Sequence, residues 1–239
     1  HKKSTTYQDG ILSPQISTIY SKNGLEFNKD DGIRSNLKID GSNESVIIKN
    51  ASESIPFGVF GIVGNNKTEV NIIGLNLQGG SEDIISGLYL SGALSLYHHK
   101  NVKISSSFIH NNLADDGLNI KNTNLVELNE NKFKDNFADA IDLDFCKGTL
   151  SNNTFIDIVG NENNNGDGLD LSGSKIVIKN NSFSNFKDKA ISIGEKSYAI
   201  LYNNLFNNNR SAVTLKDEST GYLISNIYNS NIYNIEMYQ

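Results

Sequence analysis

Short apolar runs alternating with polar positions recur down the chain, and apolar residues at helical spacing do not. One phrase returns as Asp116-Gly-Leu-Asn-Ile120, Asp139-Ala-Ile-Asp-Leu143 and Asp167-Gly-Leu-Asp-Leu171. It loosens to Lys189-Ala-Ile-Ser-Ile193 and Ser211-Ala-Val-Thr-Leu215, and Gly92-Ala-Leu-Ser-Leu96 precedes the series. Within it, Leu118 and Ile120, Ile141 and Leu143, and Leu169 and Leu171 alternate with polar residues, a period of two that predicts strands. A second phrase places an aromatic at the end of an Asn-rich turn: Phe108, Phe133, Phe155, Phe183, Phe206 and Tyr228.

The two phrases keep a fixed distance. The steps 92→108, 116→133, 139→155, 167→183, 189→206 and 211→228 are each 16 or 17 residues. From each aromatic to the next phrase the steps are 8, 6, 12, 6 and 5 residues, so one arc is constant and the other takes insertions. The longest, Gly160 to Gly166, is a loop by composition. This predicts a solenoid whose equivalent residues stack in columns. The fold class is all-β, a single right-handed parallel β-helix over residues 1–239, with a cap over 1–33 and coils over 34–239. Leu37–Gly41, Ser45–Asn50 and Val70–Leu75 read as less regular early strands. A leucine-rich repeat is the competing fold, and it would need helical arcs. Asn131, Asn153, Asn181, Asn204 and Asn226 each stand two before an aromatic and predict an internal amide ladder above stacked rings.

Composition narrows the function. The net charge is −6 and no basic stripe is visible, which argues against nucleic-acid binding. No apolar stretch is long enough for a membrane span. The beginning, His1-Lys2-Lys3, carries no apolar leader, which decides nothing about export. The single cysteine, Cys146, excludes an internal disulfide and reads as a packed turn residue. Abundant Asn and 20 Gly suit repeated tight turns.

Candidate chemistry sits on the outward positions of the repeated strand. One column reads Ser95, Asn119, Asp142, Asp170, Ser192, Thr214, and the next Tyr97, Lys121, Asp144, Ser172, Gly194, Lys216. Stacked strands lie about 4.8 Å apart, which makes Asp142 and Asp170 neighbours with Asp144 on the same face. Such carboxylates repel one another unless neutralised, and either Ca²⁺ with its oxygen ligands or Lys121 and Lys189 would do this. The alternative is a solvated acidic face. Asp116, Asp139 and Asp167 extend the acidic set, or cap turns by accepting backbone N–H groups. The small column Gly117, Ala140, Gly168, Ala190 and Ala212 forms a shallow floor or permits a sharp corner. Asn119, Tyr97 and Tyr89 are candidate sugar contacts. His98 and His99 read as a surface turn, since a zinc or copper site would want more converging ligands.

On Leu37-Lys-Ile-Asp-Gly41, Val102-Lys-Ile104, the Asn-Asn-x-Phe turns at 152–155 and 180–183 and Asp167-Gly-Leu-Asp170, the chain resembles the right-handed β-helix superfamily. That superfamily includes polysaccharide lyases, uronan epimerases and copper-loading NosD-type periplasmic proteins. The resemblance covers most of the chain and implies a pectate-lyase-like solenoid. In the lyases, Ca²⁺ neutralises a uronate carboxylate, a Lys or Arg removes the C5 proton, and β-elimination cleaves the chain. Carried over, Asp142, Asp144 and Asp170, flanked by Asp139 and Asp167, would hold the metal, and Lys189 or Lys121 would be the base. An acidic surrounding tends to raise a lysine pKa, against that role. A pectin hydrolase would need a Gly-His-Gly motif, which the chain lacks. Asp116-Gly-Leu-Asn-Ile120 and Lys189 to Lys196 are also similar, more faintly, to β-helix regions attached to CotH-kinase-like bacterial surface proteins. The expectations are therefore a secreted or cell-surface protein that recognises, or as a lyase cleaves, an anionic polysaccharide. The alternative is a non-catalytic structural or adhesive module, with flanking domains of a larger protein as partners.

Overall fold

The computed structural model describes residues 59–85, 87–158 and 165–238, together with the strands Ile11–Leu12, Leu37–Asp40, Ser45–Lys49 and Ser52–Ile55. The expected cap over 1–33, apart from Ile11–Leu12, and most of the 160–166 insertion lie outside the described residues. Each coil contributes one strand to each of three parallel sheets. In one coil these are Asp139–Asp144, Lys147–Ser151 and Thr154–Ile156. Among the described residues the first sheet has ten strands and the second and third have eight each. No helix occurs among them, which rules out the helical arcs of a leucine-rich repeat.

The columns stack in the expected register. Leu94, Leu118, Ile141, Leu169, Ile191 and Val213 fall in one inward file and are fully buried. Their neighbours along the pleat, Leu96, Ile120, Leu143, Leu171, Ile193 and Leu215, form a second. Burying these aliphatic files, at roughly 25 cal/mol per Å², is the main force holding the coils together. At the corner between the second and third sheets, Asn152, Asn180 and Asn203 take left-handed φ values of 57°, 57° and 54°. Asn adopts this conformation at low cost, so its abundance follows from the turn geometry.

The asparagine ladder forms inside the next position of that corner. Nδ2 of Asn131 donates to Oδ1 of Asn153 at 3.0 Å. Asn153 donates likewise to Asn181 at 3.0 Å, Asn181 to Asn204 at 3.1 Å and Asn204 to Asn226 at 2.9 Å. Each Oδ1 also accepts the preceding Asn backbone N–H, and each Nδ2 reaches a main-chain carbonyl. The rings of Phe133, Phe155, Phe183, Phe206 and Tyr228 stack alongside with centroids 4.4–5.3 Å apart.

One aromatic does not belong to this stack. The register pairs Ile109 with Phe133, so Ile109 occupies the inward place and Phe108 faces out beside Lys132. The Phe108 ring lies instead on His110, with centroids 3.9 Å apart. Ser107 takes the ladder position in that coil, its backbone N–H bonding Oδ1 of Asn131.

The small column turns inward. Ala93, Ala140, Ala190 and Ala212 are part of the core, and a Cβ on Gly168 would come within 3.0 Å of the Phe183 and Phe186 rings. These residues permit the corner and give no outer floor. Outside the first sheet, Asp83–Ile85 and Leu88–Leu90 pair as an antiparallel hairpin. Leu90 and Val59 pack with Tyr97 into a second apolar cluster, flanked by Val63 and Leu88.

Candidate functional site

The first sheet presents its carboxylates outward along three adjacent columns. In the corner column, Asp116 and Asp139 are register partners. Oδ2 of Asp116 accepts the Ser91 hydroxyl at 2.8 Å. Oδ1 of Asp139 accepts the backbone N–H of Asp167 at 2.7 Å, and Oδ1 of Asp167 accepts that of Lys189 at 3.1 Å. Asp139 and Asp167 therefore cap the turn of the following coil, as the amides do at the opposite corner. Lys189 Nζ approaches Asp167 at 3.3 Å and also pairs with Asp188.

In the middle column, Asp142 and Asp170 are direct neighbours in register. Nδ2 of Asn119 donates to Oδ2 of Asp142 at 2.8 Å. Oδ1 of Asn119, Oδ1 of Asp170 and Oγ of Ser192 are buried oxygens without a hydrogen-bond partner. Asn119 and Ser192 are fully buried, whereas Asp142 and Asp170 keep partial access to solvent. In the third column Lys121 Nζ pairs with Asp144 at 2.9 Å and lies 5.6 Å from the Tyr97 ring centroid.

This crowding changes the protonation of the acids. Burial, reinforced by the charges of Asp116, Asp144 and Asp170, pushes Asp142 up to about 9. Burial raises Asp116 and Asp167 to about 7, and raises Asp139 well above the usual carboxylate range. Burial works to lower the Lys121 pKa, but the bond to Asp144 outweighs it and the value rises. Lys189 is likewise raised, burial being outweighed by Asp167 and Asp188. A lysine that accepts a proton from substrate must first lose its own, and both lysines here are held charged.

Several expected contacts are placed differently. Tyr97 faces outward from the sheet but is only 2% exposed, because the hairpin covers it and its hydroxyl lies 3.2 Å from the Ser91 N–H that donates to it. It offers no platform for a sugar, and Asn119 is equally inaccessible. Tyr89, on the hairpin, is 49% exposed and is free to contact a ligand. His99 is buried, not on the surface, with Nε2 bonding the Ile62 carbonyl at 2.9 Å, and burial lowers its pKa to about 4. Cys146 is buried with its Sγ 3.3 Å from the Ile120 carbonyl, a packed turn residue as expected.

Of the expected metal ligands, Asp144 is engaged by Lys121, and Asp139 and Asp167 by backbone N–H groups. Among the described residues no three His, Cys, Asp or Glu side chains gather to hold a metal ion. What remains is the pair Asp142 and Asp170, with the amide oxygen of Asn119 one strand before it and the Ser192 hydroxyl one strand after. The carboxylate oxygens of the pair are hard donors of the kind Ca²⁺ takes. Asn119, expected as a sugar contact, and Ser192, expected only as a member of the outward column, are both fully buried.

The model of a right handed beta helix region matches residues 116–239. No curated protein and no solved structure matches the chain. With over half of its length matched and its strands stacked coil on coil into three parallel sheets, the chain belongs to the right handed beta helix family.

Proposed function

We propose that this β-helix is a secreted or surface module that recognises an anionic, uronate-type polysaccharide without cleaving it, aided by Ca²⁺ on the outer face of the first sheet. The observation that carries this reading is the pair Asp142 and Asp170, register neighbours in which Oδ1 of Asp170 is buried without a hydrogen-bond partner. Asp142 and Asp170, about 4.8 Å apart at the backbone, would hold the ion between them. Bound, Ca²⁺ would neutralise the row and offer a positive centre to a sugar carboxylate. Recognition without turnover is supported by Lys121 and Lys189, both ion-paired and held protonated.

The test compares melting with excess Ca²⁺ and with EDTA, for the parent chain and for Asp142→Ala with Asp170→Ala. Ca²⁺ should raise the parent Tm and leave the double variant unmoved, and binding to polygalacturonate or alginate should rise with Ca²⁺. Equal Tm values in Ca²⁺ and EDTA would defeat the cation reading. Ultraviolet absorbance from unsaturated uronates on either polymer would defeat the claim of no cleavage.

A purely structural or adhesive module is the second reading. It is favoured by the position of two surface grooves, about 650 and 420 Å³, lined by Leu215 and Met237 and by Phe186 and Ile232, near the last coils and not at Asp142 and Asp170.

A further inference from the structure

The second sheet has an outer face whose chemistry changes sharply along its length. In the earlier coils two of its lysines are neutralised: Lys100 pairs with Glu69 at 2.8 Å, and Lys103 with Glu127 at 2.7 Å. In the later coils the same face carries Lys147, Lys175 and Lys179, all exposed. Among the described residues none of the three has an ion pair. Lys147 and Lys175 are register partners, about 4.8 Å apart at the backbone. Like charges directly opposite across a strand pair destabilise it, so the fold gains nothing from this arrangement.

Tyrosines adjoin the lysines. Ala199 and Leu201 point into the core, so Tyr198 and Tyr202 point out, and they are 39% and 48% exposed. Lys175 pairs in register with Tyr198, and Lys179 with Tyr202. In the following coil Tyr222 is 52% exposed, its ring 5.6 Å from that of Tyr198. The corner beside Lys179 and Tyr202 carries an exposed amide pair, with Asn203 Nδ2 donating to Asn180 Oδ1 at 2.8 Å. The result is a flat face of cations, aromatic rings and amides, about 13 Å across each four-residue span.

We infer that Lys147, Lys175, Lys179, Tyr198, Tyr202 and Tyr222 form a second binding face that takes an anionic polysaccharide directly, without a metal ion. The unpaired ammonium groups complement carboxylate or sulfate groups. Tyrosine offers an apolar ring with a polar tip, which suits a pyranose face edged by hydroxyls, and the amides supply both donors and acceptors for those hydroxyls. A chain of net charge −6 with three clustered free lysines and no groove is poorly built to track a nucleic-acid backbone. The inference rests on the preceding reading only for the class of ligand, since the site and its independence of Ca²⁺ are separate.

The experiment measures binding of the full chain to heparin, polygalacturonate and alginate in EDTA, by calorimetry. Three proteins are compared: the parent, Lys147→Ser with Lys175→Ser and Lys179→Ser, and Tyr198→Ala with Tyr222→Ala. These side chains are exposed, so unchanged Tm values report intact folding. At least one glycan should bind in EDTA, with affinity falling on the order of tenfold or more in each variant and unaltered by Asp142→Ala with Asp170→Ala. No binding in EDTA, undiminished binding by either variant, or tighter binding of single-stranded DNA than of every glycan would overturn the inference. Binding seen only with Ca²⁺ and abolished only by the Asp substitutions would overturn it while sparing the cation reading.

Discussion

Raising the pH through neutrality should destabilise this protein, and Asp142 sets a lower bound on the effect. An ordinary Asp in the unfolded chain releases its proton near 4, whereas burial and neighbouring carboxylates hold Asp142 at about 9 in the folded state. Between those values the folded chain keeps a proton that the unfolded chain has lost, so stability falls as pH rises. His99 acts in the opposite sense at lower pH. Its folded pKa of about 4 lies below the unfolded value, so it contributes stability that is lost as pH falls from about 6.5. The clean window is therefore from about pH 6.5 to about pH 8, where His99 is silent. Asp142 alone is worth about 1.4 kcal/mol per pH unit, or about 2 kcal/mol across the window, and Asp139, Asp116 and Asp167, also raised, add in the same direction. Scaled by a typical unfolding entropy for a chain of 239 residues, the Asp142 share alone is a Tm drop of about 4 °C. Differential scanning calorimetry in EDTA reads it directly, and Asp142→Asn should make the slope shallower. A Tm that holds or rises across the window would refute the argument that the row stores a proton.

The ladder and the corner packing give two further expectations. Asn181→Ala removes the acceptor for the Asn153 main-chain N–H and side chain, and the donor to Leu150 and Asn204. Orphaned buried groups should cost about 3 kcal/mol or more, read as a lower urea midpoint, and a loss below about 1 kcal/mol would show that water replaces the rung. Gly148→Ala would set a Cβ 1.9 Å from the Val126 carbonyl oxygen in the adjacent coil. That variant should fail to fold or should lose several degrees of Tm, and a parent-like melt would mean the second sheet can spread there at little cost.

The stacking was legible because it follows from periodicity alone. Alternation in Asp139 to Asp144 placed Ile141 and Leu143 inside, and constant spacing placed Asp142 against Asp170. The Asn and Phe columns were visible for the same reason. Where the reading slipped, residue type was preferred over position: Phe108 was taken for the ring of its coil, though Ile109 holds the inward place. Alternation also separates inside from outside of a sheet but says nothing of what covers the outside. Tyr97 and Asn119 were assigned outward correctly and are nonetheless buried, Tyr97 by the hairpin that folds back over the first sheet. The lysine and tyrosine face of the second sheet was missed because its columns repeat no phrase. Its meaning depends on which lysines have lost their glutamates, a fact of register.

The side-chain amides of the ladder all point the same way along the axis, from Asn131 towards Asn226. The backbone N–H groups of Asn131, Asn153, Asn181 and Asn204 are each clamped by the carboxamide of the coil that follows, so no single coil can swing away without breaking a clamp on its neighbour. In amide hydrogen exchange these four N–H groups should trade protons among the slowest, because releasing any of them requires two coils to part together.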